Sequence, residues 1–146
     1  GIGTAPCTIP AVGHPNFIIE NGMMEVGIGH HGEPGISVET LGTADEVAKK
    51  ITDIIIKDLP FEHGDDVVVL LSGLGATPVM EQYIVYNKVE DILKENGISV
   101  HKSYVGNYFT SLEMMGITLT IMKLDEELKE LIDMPAESVG LTQFGK

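Results

Sequence analysis

Basic residues are scarce in this chain. Nine lysines and arginines stand against 22 aspartates and glutamates, a formal net charge of −13. Such a surface repels phosphate backbones and anionic lipid headgroups, which argues against nucleic acid and membrane as partners. The carboxylates are spread over helices and turns instead of forming a block, so the charge is read as solubility. Cysteine is nearly absent: Cys7 is the single one, which rules out an intramolecular disulfide and fits a reducing compartment. No apolar run approaches the roughly 20 residues of a membrane span, and no signal or transit peptide is visible, so a cytoplasmic location is expected. An initiator methionine is missing as well. The chain opens on the loop-like Gly-Ile-Gly-Thr-Ala-Pro, and it is expected to be a segment of something longer. Internal repeats and low-complexity stretches are also lacking.

What is present suffices for one domain: 146 residues with 43% hydrophobic content can build a single core. Residues 1–15, rich in proline and glycine, read as an irregular lead-in. Phe17 to Glu20 and Met23 to Ile28 read as two strands of a hairpin turning at Asn21-Gly22, and Ile36 to Thr40 as a short extended piece. Thr43 and Glu46 form a capping box for a helix over 44–58, with Val47, Ile51, Ile54, Ile55 and Leu59 on its apolar face. Asp66 to Leu71 is a continuous apolar run, expected of a strand covered on both sides. Thr77 as N-cap and Pro78 at the first position open a second helix, which ends at Asn96-Gly97 and is expected to bury Met80, Tyr83, Ile84, Val89, Ile92 and Leu93. A strand over 98–105, a loop with a short helix over 106–116, a strand over 117–122, an acidic helix over 125–133 and a tail complete the chain. The expected fold is α/β (α+β): one mixed β-sheet with an N-terminal hairpin, packed against three to four helices.

Several stretches could carry chemistry. Ser72 to Thr77 links a buried strand to a helix start, where phosphate is often held. It matches neither nucleotide pattern: Pro78 stands where a third glycine is needed, and no lysine follows. The plain reading, a tight connection, is preferred. Cys7 has no histidine beside it in sequence and reads as a packed thiol. Tyr83 and Tyr86 read as packing, and His14, His63 and His101 receive no role.

Titratable groups concentrate in Gly27-Ile28-Gly29-His30-His31-Gly32-Glu33-Pro34-Gly35. Three readings stand side by side. His30, His31 and Glu33 are suitable metal ligands, although adjacent histidines rarely converge on one ion from a single turn. The segment can be a structural turn with its histidines bonded to carbonyls. Or it presents a neutral imidazole, flanked by side-chain-free Gly29 and Gly32, as a nucleophile toward a small carbonyl compound.

The segment Gly-His-His-Gly-Glu-Pro-Gly resembles the loop of the dihydroxyacetone-binding subunit of dihydroxyacetone kinase, where the usual form is roughly GIHGEPG. Cys7-Thr8-Ile9-Pro10, Gly13-His14-Pro15, Gly73-Leu74-Gly75-Ala76-Thr77-Pro78, Glu81-Gln82-Tyr83, Val85-Tyr86-Asn87, Val105-Gly106-Asn107-Tyr108, Thr110-Ser111-Leu112-Glu113-Met114 and Lys123-Leu124-Asp125 look like further signatures of that family, in its order. The resemblance covers essentially the whole chain and implies that residues 1–146 are the C-terminal half of such a subunit. It implies that His31 bonds covalently to the substrate's carbonyl carbon as a hemiaminal. Gly29, His30, Gly32 and Glu33 then support the substrate loop, with His30 at the family's isoleucine position and Glu33 bracing the turn. Strand alternation is expected to send His30 to the face opposite His31. By the same resemblance, a catalytic aspartate and a second histidine belong to an N-terminal half outside this chain. This domain is expected to bind no cofactor or metal itself, with a nucleotide and magnesium on a partner kinase subunit or domain. Phosphoenolpyruvate or ATP is the ultimate phosphoryl donor, and the subunit is expected to be a homodimer. A non-catalytic ketone sensor or transcriptional co-activator of the same family is the alternative.

Overall fold

The computed structural model describes residues 1–15, 17–30 and 33–145; Asn16, His31, Gly32 and Lys146 lie outside the described residues. A six-stranded mixed sheet runs in the order β3-β2-β1-β6-β4-β5. Its strands are β1 (Ile2–Ala5), β2 (Met23–Val26), β3 (Ser37–Thr40), β4 (Asp66–Gly73), β5 (Ser99–Gly106) and β6 (Met115–Leu124). The β4–β5 pair is parallel and connected through a helix; the other pairings are antiparallel. Among the described residues, three helices accompany the sheet: α1 (Ala44–Asp58), α2 (Val79–Glu95) and α3 (Glu126–Ile132). This is the expected mixed α/β architecture with an antiparallel start.

α1 begins as its sequence dictates. Thr43 Oγ1 accepts the Glu46 N–H at 3.3 Å, and the Glu46 carboxylate accepts the Thr43 N–H at 2.7 Å. α1 and α2 pack on one face of the sheet, where Val47, Ala48 and Ile51 meet Val67, Val69, Leu71, Val85, Val89 and Leu93. The strand periodicity of β4 sends every second residue into this core, and Val68 is buried on the other side. A smaller cluster of Ile19, Ile28, Leu74 and Met114 lies under the histidine loop, with Cys7, Phe17 and Met23 at its margin. Among the described residues, no helix is long and apolar enough to cross a membrane.

Several local expectations require correction. The lead-in contains β1, which inserts between β2 and β6 and buries Ile2. Phe17 to Glu20 is not a strand, because both edges of β2 are already occupied, by β1 and by β3. Asn21-Gly22 does turn the chain, with Gly22 at φ +80°. The hairpin itself, however, joins β2 to β3 across residues 27–36. On α1, Ala48 and Thr52 share the buried stripe, whereas Ile54 and Leu59 are exposed. On α2, Gln82, Val85 and Tyr86 take the inner positions assigned to Met80, Tyr83 and Ile84, which are exposed.

Pro78 caps α2 without a side-chain bond, and Thr77 serves another contact: its hydroxyl donates to Gly116 O at 2.7 Å and accepts the Gly116 N–H at 2.8 Å. The 107–114 segment contains no helix, and the tail forms a two-stranded ribbon, Ala136–Glu137 with Thr142–Gln143.

Candidate functional site

The histidine-bearing segment is the connection of the β2–β3 hairpin. Its base is closed by the Ile36 N–H donating to Val26 O at 2.7 Å and the Gly35 N–H donating to a Glu25 carboxylate oxygen at 2.6 Å. Gly27 turns the chain at φ +84°, a conformation that favours glycine, while its N–H donates to Gly1 O at 2.7 Å. Further out, the Gly29 N–H donates to Glu33 O at 3.1 Å. A Cβ on Gly29 would collide with the Glu33 side chain, so the carboxylate folds over this glycine. Ile28, 3% exposed, anchors the start of the loop in the small apolar cluster.

His30 occupies a turn beyond the end of β2, so strand alternation does not govern it. Its ring stacks on Phe109 with centroids 3.7 Å apart and planes inclined by 46°, and its Nε2 lies 3.2 Å from Phe109 O. His31 and Gly32 lie outside the described residues, so the proposed anchor and one of its flanking glycines are not placed by this geometry.

The segment beneath His30 is fastened from β4 and α2. Ser72, fully buried, accepts the N–H groups of Tyr108 and Phe109 at 3.0 and 2.9 Å. Gln82, equally buried, donates to Thr77 O at 2.9 Å and to Asn107 Oδ1 at 2.8 Å. Ser111 Oγ donates to Leu74 O at 2.5 Å. A Cβ on Gly73 would displace the Gln82 and Asn107 side-chain ends from this contact. The Ser72–Thr77 stretch therefore acts as a tight connection that holds a neighbouring loop. The roles of Ser72, Gln82, Asn107 and Phe109 were not legible, although Glu81-Gln82-Tyr83 and Gly106-Asn107-Tyr108 are signature segments.

A cleft of about 440 Å³ opens beside His30, lined also by Cys7, Ile9, Phe17, Thr110, Ser111 and Leu112. Cys7 is half-buried there. A second cleft, about 260 Å³, lies between β6 and the starts of α1 and α2; Glu81 is its sole ionisable lining residue. It carries no comparable chemistry. Among the described residues, no group of three or more histidine, cysteine, aspartate or glutamate side chains is placed to hold a metal. His101 is tied to Asp133 at 3.0 Å, and burial pushes the Tyr86 hydroxyl above its usual range. Neither lines the cleft beside His30.

Fold and loop together define a mixed-sheet α/β domain that carries its titratable groups on a hairpin connection. The Dak1 domain matches residues 1–140, and the chain belongs to that family. It is 44% identical over 138 residues to a Listeria innocua protein named PTS-dependent dihydroxyacetone kinase 2, dihydroxyacetone-binding subunit DhaK, covering 94% of this chain and 42% of the relative. A Pectobacterium atrosepticum protein named L-erythrulose kinase is 39% identical over 142 residues, covering 94% of this chain and 24% of the relative. Among solved structures, a dihydroxyacetone kinase operon co-activator superposes with a TM-score of 0.85 at 28% identity, over 92% of this chain and 42% of that one. The dihydroxyacetone kinase of C. freundii gives 0.73 at 25% identity, over 91% of this chain and 24% of that one. This chain thus spans under half the length of these relatives.

Proposed function

We propose that this chain is the substrate-holding, C-terminal part of a dihydroxyacetone kinase's dihydroxyacetone-binding subunit, and that His31 holds the ketone covalently. The observation that carries the reading is the Gly-His-His-Gly-Glu-Pro-Gly segment on the β2–β3 connection of a chain 44% identical to a dihydroxyacetone-binding subunit. An unprotonated ring nitrogen of His31 adds to the carbonyl carbon, forming a C–N bond as the C=O π pair moves to oxygen. The proton on the other ring nitrogen leaves and the alkoxide takes up one, so the adduct is a neutral hemiaminal. Glycerol offers only hydroxyls and is rejected chemically. A partner subunit or domain bearing nucleotide and magnesium delivers the phosphoryl group in a cytoplasmic homodimer, while the base acting on the substrate hydroxyl belongs to the N-terminal half.

The co-activator's TM-score of 0.85 favours one second reading, a ketone-binding regulator that keeps His31 without phosphoryl transfer. Mass spectrometry and a ligand-soaked crystal of the full-length protein test the first proposal: dihydroxyacetone is expected on His31, and a His31→Ala protein that binds as tightly as the parent refutes it. Turnover with the nucleotide-bearing partner then separates kinase from regulator.

A further inference from the structure

We propose that His30 is a positioning residue of the ketone site, docking the hairpin connection that carries the proposed ketone anchor onto the 107–110 segment; this rests on the function proposed above. Two observations carry it. The His30 ring both stacks on Phe109, at 3.7 Å, and places Nε2 at 3.2 Å from Phe109 O. With the carbonyl as acceptor, Nε2 is the protonated nitrogen, so the contact selects one tautomer as well as one ring plane. The peptide on which His30 rests is itself pinned: Phe109 N–H donates to Ser72 Oγ at 2.9 Å, and Ser72 is fully buried at the end of β4.

A continuous path of contacts thus runs from the end of β4 through Ser72 and Phe109 to His30 on the hairpin connection. Isoleucine, the residue expected at this position by resemblance, has no side-chain N–H to give a carbonyl. Here a directional anchor replaces an apolar one. Covalent addition depends steeply on placement, since a shift of about 1 Å in a reacting group can cost about 100-fold.

The test uses full-length protein and dihydroxyacetone labelled with carbon-13 at the carbonyl. Carbon NMR reads conversion of the ketone carbon to a tetrahedral one, and calorimetry reads affinity. His30→Ala is expected to weaken calorimetric affinity about tenfold or more, with thermal stability unchanged. His30→Gln, whose amide can still donate to Phe109 O, is expected to return affinity to within about threefold of the parent. Phe109→Ala, which keeps the carbonyl and removes the ring, falls between them. The inference is overturned if His30→Ala binds like the parent, or if His30→Gln is no better than His30→Ala. A parent that never yields the tetrahedral carbon overturns the proposed covalent function and this inference with it; a parent that yields it while the His30 variants are indifferent overturns the inference alone.

Discussion

Ser72 and Phe109, 37 residues apart, share one peptide-sized junction: the Ser72 hydroxyl accepts the Phe109 N–H at 2.9 Å and lies 3.0 Å from Phe109 O as a donor. The same oxygen accepts the Tyr108 N–H. Ser72→Ala removes these partners from a fully buried position and is expected to cost about 1–3 kcal/mol. Urea unfolding should show a lower midpoint at unchanged slope. A midpoint equal to the parent's counts against the junction.

Gln82 contributes differently. Its amide N–H groups satisfy Thr77 O and Asn107, while its Oε1 is buried without a hydrogen-bond partner among the described residues. Gln82→Ala combines lost bonds with a cavity and is expected to cost about 3 kcal/mol. Gln82→Met fills the space and removes the unsatisfied oxygen, so its midpoint should lie between those of alanine and parent. Equal losses for the two variants would discount the packing contribution.

At Gly35 space is the constraint: a Cβ would stand on Val26 O and within 2.8 Å of Glu25 Cγ. Gly35→Ala is expected to open the hairpin connection locally. Hydrogen exchange should quicken at the Gly27 and Ile36 amides while Val67 to Leu71 stay protected, because local openings are independent of core unfolding. Unchanged protection at Ile36 would contradict this.

Acid should weaken the start of α1. The Thr43 N–H and hydroxyl hold the Glu46 carboxyl below its ordinary 4.5. A depressed carboxylate pKa contributes stability that is complete above the ordinary value and is lost as pH falls through the lower, folded one. The Asp65 carboxyl, held down from 3.8 chiefly by Lys123, acts in the same direction. Urea midpoints measured from pH 6 to pH 3 should fall more steeply in the parent than in a Glu46→Gln protein. Parallel curves would remove the capping box from the acid response. At neutral pH, Thr43→Ala is expected to cost about 1 kcal/mol.

Much of this molecule was readable before any tertiary contact. α1 spans residues 44–58 as expected, and α2 ends at Glu95 before Asn96 and Gly97. Caps and glycine act within a few residues, so their signals are local. β4 was legible for a similar reason, since a strand buried on both faces is apolar throughout. The sequence concentrates His30 and Glu33 among loop glycines, and the Glu33 side chain lies over Gly29.

Tertiary structure decided the rest. β1 is four residues long and includes Gly3; pairing with Glu25 and Val26 on one side and with residues 115–117 on the other makes it a strand. Neither partner is near in sequence. The same insertion left no place beside β2 for Phe17 to Glu20. On α2, apolar spacing did not reveal that the inward positions include Gln82 and leave Met80 to solvent, because the partners that make Gln82 an inner residue, Thr77 O and Asn107 Oδ1, include one 25 residues away. His30 makes the point most directly: the sequence placed it next to His31, whereas its stacking partner, Phe109, lies 79 residues away. Residue choice determined the turn and its chemistry through short-range backbone preferences; the surface on which that turn rests arises only when the sheet brings two distant loops together.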